Sequence, residues 1–481
     1  MATWNDMAYI QQINIGEVRG LPAKERETLS KLLDVYTSHV TRNDEKNRYY
    51  EGKIALRDVN LGIALPDGML GLEIGCAWGA KTVDVLAGLS MFDGFVGING
   101  ETASELEAIV SANRLIAEYA KACRDELEYG CTFATLSADT AYGCKIRFHS
   151  PRTAAALWDG EKGRIGSGFA IIDTKTDNSA TDTKPSLIYF YTDDAVWILR
   201  DEGYQWKAEW RGHKMGRPLM EPLIWNATSS KPFGRSRIKE PVRRLIQGYV
   251  RTIANATIGL EFSTAPQKYL LGITDEQYDV IINQKFRQYV GNIIAATANP
   301  ETGEKPSFGQ LTQGSISPHV EMIRVLATQF SAATGLTVTD TGVVNDANPT
   351  SSDAILAQSR TLTGMAEQLN IGNGDALRTI ALMAEAISHD TTLDALSDDQ
   401  KNIVAHFKNP AMPSISVSAD AAIKIASARQ EFAQTDVFLE MIGFDQGDIR
   451  RIKAQEQKAR GLQLLTEEFT EPEEENSITE E

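Results

Sequence analysis

Apolar positions recur at three- and four-residue spacing in two stretches of the second half of the chain and alternate in the first half, a pattern that predicts an α+β protein. Residues 239–262 open with Pro241, whose missing N–H a first helical turn tolerates, and carry Val242, Leu245, Tyr249 and Ile253 along one stripe. PQKYLLGI then reads as a short strand, TDEQYDVIINQKFRQYV as a helix with a Thr-Asp cap, and NIIAATAN as a second strand. After the polar, turn-rich PETGEKPSFGQLTQG, a second helix starts at Ser317-Pro318. It places Met322, Ile323, Leu326 and Phe330 on one face and stops at Gly335. A helix leaves, a β-α-β insert intervenes, and a helix returns.

The flanks fill in around this motif. Residues 21–57 predict a charged helix with a buried stripe of Leu29, Leu32, Leu33 and Tyr36. Further apolar helices centre on residues 83–89 and 106–123. Between Thr132 and Trp225 the period drops to two in CKIRFHS, GSGFAIIDT, SLIYFYT, AVWILRD and YQWKAEW, with Gly, Asp and Asn turns between them, which predicts an antiparallel β region. From Ser351 the chain is helical again, with an interruption expected at Gly372-Asn373-Gly374, a brief strand at 412–418, and final helices. There is no internal repeat.

Composition narrows the class. A length of 481 residues allows about three domains, and 42% hydrophobic residues suffice for real cores. No run of about 18 apolar residues is present, and MATWNDMAYIQQ lacks both a basic n-region and an apolar h-region, so a soluble protein made in the cytoplasm is expected, with no membrane partner. Cys76, Cys123, Cys131 and Cys144 show no CxxC spacing and read as buried thiols; a zinc site from Cys131, Cys144 and His149 is the weaker alternative. The net charge of −17 argues against an ordinary phosphate-gripping protein. Eight of the acids lie in 467–481, a stretch without Lys or Arg, which leaves −9 for the rest and reads as a solvated, disordered tail.

Candidate chemistry is sparse. Gly75-Cys76-Ala77-Trp78-Gly79-Ala80-Lys81-Thr82 follows the strand-like LGLEI and misses the phosphate-binding G-x-x-x-x-G-K-[ST] loop by one residue, Ala80, where a β-carbon obstructs the wrap around a phosphate. A packing helix with Trp78 and Val83 turned inward is the simpler reading, and Asp173 after GFAII is an ordinary strand end. Six scattered histidines form no HExxH, no G-x-S-x-G elbow is present, and the carboxylates show no catalytic pairing. No catalytic residue, metal or cofactor is expected. Two basic stretches stand out: Arg235, Arg237, Lys239, Arg243, Arg244 and Arg251, and later Arg450, Arg451, Lys453, Lys458 and Arg460. Each is either a solvated, ion-paired face or a phosphate contact.

In order and in wording the chain resembles the portal proteins of tailed bacteriophages typified by the portal of the Bacillus phage SPP1. FGRSRIKEPVRRLIQGYVRTIANATIGLEFSTAPQKYLLG is similar to that family's passage into stem and clip, and SISPHVEMIRVLATQFSAATGL to its return helix. WGAKTVDVLAGLSMFDGF and ANRLIAEYAKACRDELEYGCTFATL resemble early wing segments. NPTSSDAILAQSRTL and SADAAIKIASARQEFAQTDVFLEMIGFDQGDIRRI resemble the long helix after the tunnel loop and the C-terminal helical part, so that residues 20–465 are covered.

The resemblance implies a multi-domain portal fold in a closed cyclic ring, a dodecamer in the virion. It implies a wing (1–236), stem helices (237–262 and 315–335), a clip (263–314), a tunnel loop (336–350), a long wing helix with return strand (351–419), a helical crown (420–465) and the acidic tail (466–481). Double-stranded DNA would pass through the ring during packaging and ejection, and terminase, then head-tail connector or adaptor proteins, would dock on it. Major capsid and scaffolding proteins would surround it at the capsid portal vertex, after assembly in the host cytoplasm.

The residues placed at these sites are Asp340, Asn345, Asp346 and Asn348 in the tunnel loop, Arg243, Arg244 and Arg251 on the stem, and Tyr269 and Leu271 in clip packing. The alternatives are a degenerate P-loop nucleotide hydrolase of the packaging machinery and, less suited to the helix-insert-helix order, a major capsid or adaptor protein.

Overall fold

The computed structural model describes residues 18–55, 73–97, 104–139, 143–176, 183–264, 268–271, 303, 305, 307–310, 315–343, 352–411, 415–444 and 446–468. The helix expected at 274–290, the strand at 292–299, Asn345, Asp346, Asn348 and the tail from 469 lie outside them. The chain divides into two compact units, one of Met1–Asp44, Asp84–Ser236 and Pro349–Glu481, the other of Glu45–Val83 and Arg237–Asn348.

The first unit is built on a six-stranded sheet of β1 (Val18–Arg19), β7 (Ala154–Asp159), β8 (Arg164–Thr176), β9 (Thr183–Tyr191), β10 (Ala195–Asp201) and β11 (Trp206–Gly212). Its order is β1-β11-β10-β9-β8-β7, antiparallel except for the β1–β11 pair. Period-two alternation puts every second residue on one face. Phe169 of β8 therefore stands beside Phe190 of β9, which stands beside Trp197 of β10, and Ile171, Ile188 and Leu199 form the next row. The first helix, α1 (Ala23–Tyr50), lays Leu29, Leu32 and Tyr36 on these rows, with Leu33 partly buried, as the stripe predicts. Tyr36 meets Phe169 edge-on at 5.6 Å and donates its hydroxyl to Arg152 O at 2.6 Å, which satisfies the one polar atom that this contact buries.

A second sheet, β12-β5-β6, comprises β5 (Cys131–Asp139), β6 (Gly143–His149) and β12 (Met220–Ile224). Residues 106–123, expected as one helix, form two, α3 (Ser104–Ala112) and α4 (Leu115–Tyr129). The break is local chemistry: Asn113 donates to Cys144 O at 3.0 Å and accepts from Ile146 N–H at 2.9 Å, so its side chain pairs with β6 as a strand would, and Arg114 turns the chain at φ 50°. Helix α4 and the long α7 (Ser352–Ser388) pack on this sheet, and β4 (Phe92–Gly97) pairs antiparallel with β15 (Ile403–Phe407), far along the chain, in a two-stranded sheet. The second helix, α2 (Trp78–Leu89), leads from the other unit into β4.

Two expectations in this unit are corrected. Gly372-Asn373-Gly374 does not interrupt the helix; α7 runs through it for 37 residues because Asn373 is buried and hydrogen-bonded to its neighbours. The strand expected at 412–418 lies earlier, at β15, and Ile415 already belongs to α8 (Ile415–Ala428), which α9 (Asp436–Ile442) and α10 (Gln446–Glu468) follow.

The second unit holds the antiparallel strand pair of β2 (Lys53–Ala55) and β3 (Glu73–Gly75), the start of α2, and the expected helix pair, α5 (Glu240–Thr264) and α6 (Ser317–Thr334). In the chain between that pair, β13 (Lys268–Leu271) and β14 (Ser307–Gln310) pair as an antiparallel two-stranded sheet. β14 falls in the stretch expected to be turn. Its four residues are too few for a period-two signal to rise above the surrounding Gly, Pro and Thr.

Candidate functional site: a helix pair and the loop after it

Helix α5 is buried over a wider arc than the stripe predicts. Val242, Ile246, Val250 and Ala254 are covered, as are Gly248 and Thr252 on another side, whereas Leu245, Tyr249 and Ile253 are half-exposed. A β-carbon on Gly248 would stand 3.2 Å from a methyl of Leu326, so the missing side chain admits α6. On α6, Leu326, Ala327 and Phe330 are buried, while Met322, expected on that face, is exposed.

Arg237, just ahead of α5, is buried. Its Nε donates to Thr82 O at 2.6 Å and its Nη2 to Thr334 O at 2.7 Å, tying the start of α2 to the C-terminus of α6, where a cation meets the negative end of the helix dipole. Burial pulls its pKa down to about 10, so it stays charged at neutral pH. A member of the basic stretch is thus a structural tie.

Trp78 sits between the two helices. Its ring lies 4.5 Å from Tyr249 of α5 and 4.7 Å from Phe330 of α6, and its indole N–H donates to Thr341 O at 3.1 Å. One side chain therefore touches both helices and the chain that follows them. That chain begins at Gly335, whose φ of 76° a β-carbon would strain. Ser331 Oγ donates to Leu336 O at 2.5 Å. Asp340 Oδ2 accepts from both the N–H and the hydroxyl of Thr337, each at 2.8 Å, and the single 3-10 turn Thr339–Thr341 closes over Asp340. Asp340 is a turn-forming acceptor at the root of the loop.

The near P-loop is a packing element. Thr82 donates its hydroxyl hydrogen to Trp78 O at 2.8 Å inside its own helix and is buried, so its oxygen does not face solvent where a metal-phosphate complex would sit. A β-carbon on Gly79 would stand 2.0 Å from Tyr49 O, so this glycine serves the close approach of α2 to the end of α1.

The basic candidates separate. Arg243 pairs with Glu45 at 3.0 Å and with Glu240, and Arg244 pairs with Glu240 at 2.8 Å, whereas Arg251 has no ion pair among the described residues. On α10, Lys453 pairs with Asp436 at 2.6 Å and Arg451 with Asp448 at 3.4 Å. In the segment expected to form the clip, Leu271 is exposed beside Ser307, and Tyr269 is in register with Gly309. All four cysteines are buried, as expected. His149 Nε2 lies 3.0 Å from Thr135 Oγ1, and burial lowers its pKa to about 4. No metal-holding group of His, Cys, Asp and Glu occurs among the described residues, and no described helix is long and apolar enough to cross a membrane.

Sequence reasoning placed Trp78 inward but could not name its partners, because Tyr249, Phe330 and Thr341 lie far along the chain. It missed the buried role of Arg237. The only available signal was an arginine ahead of a helix whose own acid, Glu240, already partners Arg243 and Arg244.

No curated protein matches this chain. Similar solved structures include the virion of a native gene transfer agent particle, at 11% identity over 76% of this chain and 89% of that one, with a TM-score of 0.43. The neck of the native particle computed with C12 symmetry has 10% identity, the same coverages and a TM-score of 0.42. The neck of the empty particle computed with C6 symmetry has 11% identity over 74% and 86%, with a TM-score of 0.41. These scores lie below 0.5, and the assignment rests on sequence alone. The family model of phage portal proteins, SPP1 Gp6-like, matches residues 29–461, and the chain belongs to that family.

Proposed function

We propose that the protein is the portal subunit of a tailed phage or phage-like particle, a structural and non-enzymatic component that forms a closed ring, by family resemblance a dodecamer. Double-stranded DNA would enter and leave through that ring. The family match over residues 29–461 carries this reading. Terminase would dock first and head-tail connector proteins later, with major capsid and scaffolding proteins around the ring.

The helix pair and its loop supply what such a role needs: two helices locked by Arg237 and Trp78, and a loop rooted by Trp78 and Asp340. In this reading α5 and α6 are the stem, the β13–β14 strand pair belongs to the clip, and 336–350 faces the channel. Electron microscopy of the purified protein should show rings with a central hole. Light scattering that finds only monomer at high concentration, with no rings after assembly in phage-infected extracts, would contradict the proposal.

The β13–β14 pair yields a second expectation. Two short strands bury too little to stand alone, so in a ring they would gain stability from adjacent subunits. Changing Tyr269→Asp together with Leu271→Asp should weaken ring stability or docking and leave the rest folded. Unchanged ring stability with unchanged terminase and connector binding would remove the clip assignment.

A further inference from the structure

Gly372-Asn373-Gly374 lies in the middle of α7, where each glycine weakens a helix relative to alanine, and Asn373 is what the surrounding structure holds there. Its Nδ2 donates to Tyr119 Oη at 2.9 Å and to Glu126 Oε2 at 2.8 Å, both partners being on α4. The sense of these bonds is set at the far end of the network. Ser90 donates its hydroxyl hydrogen to Asn370 Oδ1 at 2.6 Å, so across the 2.7 Å contact with Tyr119 it accepts. Tyr119, having spent its one hydrogen on Ser90, can only accept from Asn373. The amide must therefore turn its NH2 toward Tyr119 and its carbonyl oxygen away.

Two fully buried atoms in this network are left without a partner, Asn373 Oδ1 and Glu126 Oε1. With an ionised glutamate both are orphan acceptors in the core, a costly state. One hydrogen between them satisfies both. We propose that Glu126 is a buried proton-binding site, which carries a hydrogen on Oε1 in the folded protein and donates it to Asn373 Oδ1, closing a carboxylic acid–amide pair that keeps α7 continuous across its glycines. The proton comes from solvent and returns there on deprotonation.

The environment favours the acid form. Burial pushes the carboxyl up to about 8, against a smaller downward pull from the Asn373 bond. Its own helix contributes Tyr119 and Cys123, both held neutral by burial. It also contributes Asp125, pushed up to about 7 mainly by burial, and the exposed Arg124. β4 and β15 contribute the rings of Phe92 and Phe407 against Tyr119, and α7 contributes the amides of Asn370 and Asn373, with Asp375 and Arg378 exposed.

The folded value exceeds the usual glutamate value of 4.5. Stability from this group is therefore complete below 4.5 and is lost as the pH rises to about 8, because the unfolded chain releases the proton first. Over that window the unfolding constant of the wild-type protein should rise about a thousandfold on account of Glu126. Glu126→Gln, a neutral isostere, should lack that share of the rise and should overtake the wild type in stability at the alkaline end. Amide exchange at 370–377 should accelerate with pH in the wild type beyond its intrinsic rate and not in the variant.

A constant difference between the two proteins across the whole window would overturn the proposal. Should the variant fail to fold, infrared titration of the wild type decides. A component of the protonated-carboxyl band that titrates near pH 8 supports the site, and its absence overturns it.

Discussion

Replacing Trp78 by alanine is expected to cost about 3–5 kcal/mol, the range for a buried aromatic truncated where its surroundings cannot close in. The ring is buried between Tyr249 and Phe330, which belong to helices held independently by Arg237, so the gap cannot be filled by sliding one helix onto the other. Trp78→Phe separates packing from anchoring. It keeps an aromatic face between the helices but removes the indole N–H, leaving Thr341 O without that donor at an expected cost of about 1 kcal/mol.

Chemical denaturation should rank wild type, Trp78→Phe and Trp78→Ala in that order. Limited proteolysis should cut the 336–343 segment faster in Trp78→Phe than in wild type although the helices stay packed. If Trp78→Phe matched the wild type in both stability and loop protection, Trp78 would be a packing residue only and the loop would be rooted by Asp340 alone.

What the sequence disclosed, and what it withheld, divides along the range of the interactions. Strands β6, β8, β9, β10 and β11 and the helix stripe Leu29, Leu32, Tyr36 were legible because period two and period 3.6 are local patterns written in large apolar residues, whereas β7, with its run of three alanines, was not singled out. Asn113 was not, since its partners Cys144 and Ile146 are in another element, and an asparagine that imitates a strand leaves no periodic trace. Gly372-Asn373-Gly374 misled for the same reason: propensity argues for a break, and the burial of Asn373 against α4 overrides it. The helix-insert-helix order was visible. The Arg237 tie and the Trp78 contacts that hold the unit together were not, because residues up to 263 positions apart supply them.

The loop after α6 carries the second large effect. If 336–350 faces a DNA channel, as proposed, its acids repeat around the ring and keep phosphates from adhering, by the same Coulomb logic through which basic rings grip. Changing both Asp340 and Asp346 to lysine would test that charge poorly. Asp340 Oδ2 accepts two bonds from Thr337, and a lysine there would release the turn as well as reverse its sign. Asp340→Asn keeps an acceptor oxygen and removes the charge, so it should leave folding and ring formation unchanged. Adding Asp346→Lys to that background introduces attraction for phosphate, and DNA translocation should then slow. The defect should deepen at low salt, where the screening length grows from about 10 Å at 0.1 M to about 30 Å at 0.01 M. A double variant that packaged and ejected DNA like the wild type at every salt concentration would remove the loop from the channel.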